Sequence, residues 1–369
     1  MNLKMPLVDL NAQYRELQTE IDAAIREVVE SQQFIMGPQV EEFEQDLAAY
    51  ARVPFAFGCA SGTDALQLAL MALGVGPGDE IITSPFTFAA TVEVIALLGA
   101  EPVYTDIDLT TYNLRVDQVE GLITPRTKAI IPVHLYGLPA DMDELLRIGH
   151  QYGIPVVEDG AQALGAYYRD EKVCGLGAIG CTSFFPAKNL GAFGDAGGVF
   201  THDGDLADRM AKIRAHGSDK RYWHELVGVN SRIDTLQAAI LKVKLPHLDR
   251  WNRRRQQVAG WYQELLDPTW VTGPVCGEDR THIYQQYTIR VERRDALQAY
   301  LSEQGIPSAV HYPTPLYLQP AFRDSQWDDR CPNSEKAANT VLSLPMHPYV
   351  TREQVKMVVE AIHRFFEQD

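Results

Sequence analysis

The chain has 369 residues, 46% of them hydrophobic, enough to bury one large core and a smaller one beside it. Its formal charge of −16, with no long Lys/Arg block, argues against a nucleic-acid partner, because phosphate backbones attract basic surfaces. Five scattered cysteines (Cys59, Cys174, Cys181, Cys276, Cys331) without a C-x-x-C pair, a start at Met1–Pro6 without an apolar signal core, and no stretch of bilayer length together predict a cytoplasmic protein with no membrane partner.

In chain order, a short arm is followed by Ile21, Ile25, Val28 and Val29 at helical spacing, then Gly37-Pro38 interrupts before a second helix through Val40 and Phe43. From Phe55 the pattern alternates short β-rich runs with helical segments: Phe55–Cys59, Glu80–Thr83, Pro102–Thr105, Ala129–Val133, Pro155–Glu158 and Thr182–Phe185. That alternation predicts an α/β domain with a mostly parallel sheet, since parallel neighbours need crossover helices. A long helical pattern runs from Ile233 through Leu241, Leu245 and Leu248 to Trp261, broken at Pro246, and carries Arg253-Arg254-Arg255 as an expected solvated face. Beyond it come a strand over Tyr284–Val291, a helix over Asp295–Gln304 ended by Gly305, a strand over Ser308–His311 and a closing helix over Arg352–Phe366. The expected division is a large domain with an N-terminal helical arm, 1–265, and a small α+β domain, 266–369.

Lys188 follows one of the predicted strands, in Ser183-Phe184-Phe185-Pro186-Ala187-Lys188-Asn189-Leu190-Gly191, just before Gly194-Asp195-Ala196-Gly197-Gly198. An amine held against a buried sheet edge is desolvated, which lowers its pKa and suits it to Schiff-base chemistry; an exposed lysine has no such use. Ser61-Gly62-Thr63 opens a helix after the first strand and reads either as an ordinary N-cap or as a phosphate site at a helix start. Asp159, at a strand end, either caps the next turn or holds a pyridine nitrogen protonated, with Gln162 three residues on as a donor to a ring oxygen. Phe86-Thr87-Phe88 places an aromatic at the same edge, as core or as a stacking partner, and the Ser183 hydroxyl bonds either backbone or phosphate. Gly175-Leu176-Gly177-Ala178-Ile179-Gly180 matches G-x-G-x-x-G, but a strand pattern follows it, so a turn between strands is expected rather than a nicotinamide site.

Together these segments resemble the sugar-nucleotide aminotransferases of the DegT/DnrJ/StrS group, fold type I enzymes of aspartate-aminotransferase-like architecture. The resemblance extends through Arg214-x-His216-Gly217, Asn230-Ser231-Arg232-x-Asp234-x-x-Gln237, His311-Tyr312-Pro313 and Ser343-Leu344-Pro345-Met346-His347-Pro348 and covers nearly the whole chain. It implies pyridoxal 5′-phosphate as cofactor, with Lys188 joined to its aldehyde, Asp159 on the pyridinium, Gln162 at the ring oxygen and Phe88 stacked on the ring. Gly62, Thr63 and Ser183 would take the phosphate, and Asn230 would reach it from the neighbouring subunit of a homodimer. Some members carry histidine in place of the lysine and act as dehydratases; Lys188 implies transamination instead, with L-glutamate as donor and a nucleotide-linked keto-sugar as acceptor. The segments around Asn230, His311 and Ser343 look most similar to enzymes that aminate C3 of a UDP-linked 3-keto-N-acetylglucosaminuronic acid for O-antigen synthesis. Arg232, His311 and Tyr312 would then contact that substrate, although Arg232 is equally open to a structural role at the dimer interface. A dTDP-linked 3-keto- or 4-keto-6-deoxyhexose is the second substrate considered, and a non-catalytic regulatory protein on the same fold the alternative of another class.

Overall fold

The computed structural model describes residues 5–367. Its central sheet is built from β1 (Phe55–Cys59), β2 (Glu80–Thr83), β3 (Glu101–Tyr104), β4 (Thr127–Ile131) and β5 (Val157–Asp159). A two-strand ribbon, β6 (Tyr167–Tyr168) and β7 (Glu171–Lys172), precedes the last two sheet strands, β8 (Ile179–Ser183) and β9 (Gly197–Thr201). Parallel pairing sets Ile82 opposite both Val103 and Ile130, and Asp159 opposite Cys181. Parallel bridges from Ile130 to Val156 and from Val133 to Asp159 join the two halves into one sheet of order β3-β2-β4-β5-β8-β9-β1. Only β9 runs the other way, pairing antiparallel with β1 and β8 so that Gly197 lies opposite both Cys59 and Ser183. The carboxyl ends of six parallel strands therefore share one edge, which in open α/β sheets is where ligands bind.

These strands are apolar nearly throughout because helices cover both faces. On one face the helix Gly62–Ala72 buries Ala65, Leu66, Leu68, Ala69 and Leu70 against Cys181 and Val199. On the other, Phe43 and Leu47 of helix Pro38–Ala51 and Leu241 of helix Thr235–Lys244 enclose Phe184, and the rings of Phe43 and Phe184 meet edge to face at 5.6 Å. A buried phenylalanine of this kind contributes about 2–3 kcal/mol. It pins the chain directly after β8, four residues before Lys188.

The second core gathers Val258, Ala259 and Tyr262 of helix Leu248–Leu265, β10 (Tyr287–Arg290), β11 (Val341–Leu344), and helices Arg294–Glu303 and Arg352–Glu367; Met5 packs into the same cluster. Helix Leu248–Leu265 thus belongs to both cores, and we propose its end, near Leu266, as the point where the two domains divide. The break at Pro246 is a single tight turn, Leu245–His247, between helices Thr235–Lys244 and Leu248–Leu265.

Several expectations are corrected. The strand expected over Thr182–Phe185 lies earlier, at Ile179–Ser183, and the chain after Phe184 turns away, with Lys188 N–H donating to Phe185 O at 2.8 Å. Gly197–Thr201 is a strand that was not anticipated, since its two leading glycines suit a loop. Ser308–His311 contributes only a bridge between Ala309 and Ser343. The arm carries an extra helix, Leu10–Glu16, capped by Asp9, whose Oδ1 accepts from Ala12 N–H at 2.9 Å. Of the three consecutive arginines only Arg253 and Arg254 are exposed. Arg255 is buried and donates to the carbonyls of Tyr284, Gln285 and Met346, holding three chain segments of the second core together.

Candidate active site

Four loops meet at the carboxyl edge of the sheet. After β1, Ser61 caps helix Gly62–Ala72, its Oγ accepting from Asp64 N–H at 3.0 Å, so both readings of this segment have a structural basis. Gly62, the first residue of that helix, lies against Ser183: a Cβ placed on it would lie 2.6 Å from Ser183 Cβ and 3.1 Å from its Oγ. Only glycine permits this approach, which leaves backbone donors, the positive helix end and the Ser183 hydroxyl around one point. The hydroxyl itself accepts from Phe185 N–H at 3.2 Å.

Asp159 closes β5 in a position 5% exposed. Its Oδ2 accepts from Thr91 Oγ1 at 2.8 Å and its Oδ1 from Ala161 N–H at 3.2 Å. Gln162 is likewise buried; its Oε1 accepts from Tyr136 N–H at 2.6 Å and its Nε2 donates to the Tyr312 hydroxyl at 3.1 Å. Phe88 is 60% exposed, unusual for a phenylalanine inside a cleft, with its ring centroid 6.3 Å from that of Tyr312. Tyr312 is raised above the ordinary tyrosine range by burial and by the Asp159 charge, opposed by the bond from Gln162.

Lys188 sits on the turn after β8, where Gln285 Nε2 fixes the preceding carbonyl of Ala187 at 3.1 Å. The residue is partly open to solvent, yet the protein packed around its amine penalises the charge and pulls its pKa from 10.5 to about 8; the nearby Asp159 carboxylate works in the opposite direction. His311 is held below the usual histidine value, first by burial and then by the Lys188 charge, so it belongs to the same cluster. Its Nδ1 lies 2.8 Å from Ser343 Oγ, and its carbonyl accepts from the Tyr136 hydroxyl.

The fold thus brings together Phe88, Asp159, Gln162, Lys188, His311 and Tyr312, and sets Gly62, with Thr63 next to it in the chain, against Ser183. Asn230 and Arg232 stand apart from the hydrogen bonds around Asp159 and Gln162. Asn230 is exposed, on a bridge to Ala215, while Arg232 is partly buried with its Nε given no hydrogen-bond partner. Four contributors escaped sequence reasoning. Thr91 and Tyr136 carry no local signal, because their partners lie 68 and 26 residues away. Ser343 and Glu158 lay inside segments already singled out.

Glu158 also disposes of the glycine-rich segment. Its two oxygens accept from the N–H groups of Cys174, Leu176 and Gly177 at 2.8–2.9 Å, and it pairs with His134 Nε2 at 3.0 Å. A Cβ on Gly177 would meet Val156 O at 2.6 Å, so the segment is a turn packed under β5 and leading into β8, with no room for a dinucleotide.

A buried carboxylate, a desolvated amine, an exposed aromatic and a helix start beside a serine hydroxyl, all at one end of the sheet, are groups of the kind that a pyridoxal phosphate enzyme uses. Comparison with known proteins gives the same class. Residues 15–363 match the DegT/DnrJ/EryC1/StrS aminotransferase family. A UDP-2-acetamido-2-deoxy-3-oxo-D-glucuronate aminotransferase of Pseudomonas aeruginosa is 49% identical over 96% of this chain and 98% of its own. A pleiotropic regulatory protein of Geobacillus stearothermophilus is 48% identical over 99% of both. Among solved structures, Streptomyces venezuelae DesV in complex with a ketimine intermediate superposes with a TM-score of 0.96 at 43% identity, over 99% of each chain. The chain belongs to the DegT/DnrJ/EryC1/StrS aminotransferase family. It is a sugar aminotransferase that depends on pyridoxal 5′-phosphate.

Proposed function

We propose that the chain transfers the amino group of L-glutamate to C3 of UDP-2-acetamido-2-deoxy-3-oxo-D-glucuronic acid, a step toward an amino sugar of O-antigen. One observation carries the choice of a uronate: Arg232, in the segment Asn230-Ser231-Arg232, has a buried Nε with no hydrogen-bond partner. A guanidinium left partly unsatisfied suits a carboxylate, which it engages through two parallel bonds. The 49% identity to the Pseudomonas aeruginosa aminotransferase supports the same substrate.

Bound pyridoxal phosphate supplies an aldehyde that condenses with amines and a ring that spreads the electron pair released when a proton leaves the adjacent carbon. The chain's own residues do the rest. Lys188 would hold the aldehyde carbon of the bound cofactor, and its amine, when free, would carry a proton between two neighbouring carbons. An amine near pKa 8 exists in both protonation states around neutral pH, which this task requires. Asp159 would keep the ring nitrogen protonated, Phe88 would cover one ring face, and Gln162 would donate to the ring oxygen. The start of helix Gly62–Ala72, through Gly62 and Thr63, holds the phosphate with Ser183. His311 and Tyr312 line the substrate side. Asn230, exposed on the single chain, completes the phosphate site of a second subunit, which makes the enzyme a homodimer with shared sites, working in the cytoplasm. No helix among the described residues is long and apolar enough to cross a membrane.

The test is a panel of keto-sugar nucleotides offered with L-glutamate, the products being identified by mass spectrometry and NMR. The UDP-linked 3-keto-uronate is expected to be aminated at C3 in preference to all others. Preference for a dTDP-linked 3-keto- or 4-keto-6-deoxyhexose would contradict the proposal.

A further inference from the structure

Asp159 meets the ring nitrogen in the function proposed above, and the side chain that bonds its carboxylate is a threonine hydroxyl backed by a second one. Thr91, fully buried at the start of helix Ala90–Leu97, gives its Oγ1 to Asp159 Oδ2 at 2.8 Å. Behind it Thr87, also buried, lies 3.2 Å away, hydroxyl to hydroxyl. Chemistry fixes the direction of this chain. An ionised carboxylate has no proton to give, so Thr91 donates to Asp159; its single proton being used, it can only accept from Thr87. Oδ2 is thereby occupied, whereas Oδ1 has only the longer 3.2 Å bond from Ala161 N–H.

We infer that Thr91, oriented by Thr87, is a positioning residue: it occupies Oδ2 and fixes the orientation of the carboxylate, leaving Oδ1 for the ring nitrogen of the cofactor. This rests on the assignment of Asp159 to the ring nitrogen. A hydrogen bond to a buried carboxylate is among the stronger ones, and its loss frees the group to rotate.

The experiment compares wild type with Thr91→Val, which keeps the shape and removes the hydroxyl, Thr91→Ser, which keeps the hydroxyl, and Thr87→Val, which removes only the outer link. Pyridoxal phosphate affinity of the apoprotein, the pH midpoint of the visible band of the bound cofactor, and urea stability of the apoprotein are measured for each. Thr91→Val is expected to bind the cofactor about tenfold more weakly and to displace the midpoint, Thr91→Ser to restore both, and Thr87→Val to weaken binding roughly two- to threefold. Thr91→Val with wild-type affinity and midpoint would overturn the inference alone, as would weaker binding that merely follows lost apoprotein stability. Wild type that takes up no cofactor would instead refute the parent assignment and the inference with it.

Discussion

The desolvated amine of Lys188 can be measured without any substrate. Burial lowers its pKa from 10.5 to about 8. At pH 7 the neutral, nucleophilic form then rises from roughly 1 in 3,000 molecules to about 1 in 10, a gain of some 300-fold. The folded apoprotein is pulsed with trinitrobenzenesulfonate between pH 6 and 11, and the labelled peptide containing residue 188 is quantified by mass spectrometry. Labelling follows the neutral amine, so its rate is expected to climb with a midpoint near pH 8 in the folded protein and near about 10.4 in the same chain denatured. Asp159 favours the charged amine, so Asp159→Asn should move the folded midpoint lower still. A folded midpoint at or above about 10 would show that the amine is solvated and would refute the reasoning.

Two further substitutions probe the frame around it. Gly62→Ala puts a methyl 2.6 Å from Ser183 Cβ, prising the helix start from the hydroxyl, and should weaken pyridoxal phosphate binding about 10- to 100-fold in equilibrium dialysis; unchanged affinity would remove this corner from the phosphate site. Glu158→Gln sets an amide against donors on every side. Ala140 N–H donates to His134 Nδ1, so the ring proton is assigned to Nε2 and points at Glu158, which also receives three backbone N–H groups. The expected loss is about 2–4 kcal/mol in urea unfolding, and a change under about 0.5 kcal/mol would contradict the assigned network.

Much of this was legible in the sequence for a physical reason. Strands buried on both faces are continuous apolar runs, so Glu80–Thr83 and Phe55–Cys59 were read with correct bounds. Candidate site residues of such a sheet sit at strand ends, as Asp159 and Ser183 do, or just past them, as Ser61-Gly62-Thr63 does. What stayed hidden depends on contacts between distant segments. Gly197–Thr201 owes its strand conformation to β1 and β8 on either side rather than to propensity. Arg255 resembles its exposed neighbours in composition, and only the packing of helix Leu248–Leu265 turns it inward. Thr91 and Tyr136 act through partners that no local pattern connects to them.

The central claim is that one lysine holds the cofactor, and the structure supplies its own control. Lys244 is a second buried amine pulled down to about 8, but it donates to Gly191 O on the far side of the Lys188 loop and faces none of the site's carboxylates. The holoenzyme should therefore be reduced with borohydride, digested and mapped by mass spectrometry. A phosphopyridoxyl group on residue 188 is the predicted result; its absence there, or its appearance on residue 244 instead, would contradict the account.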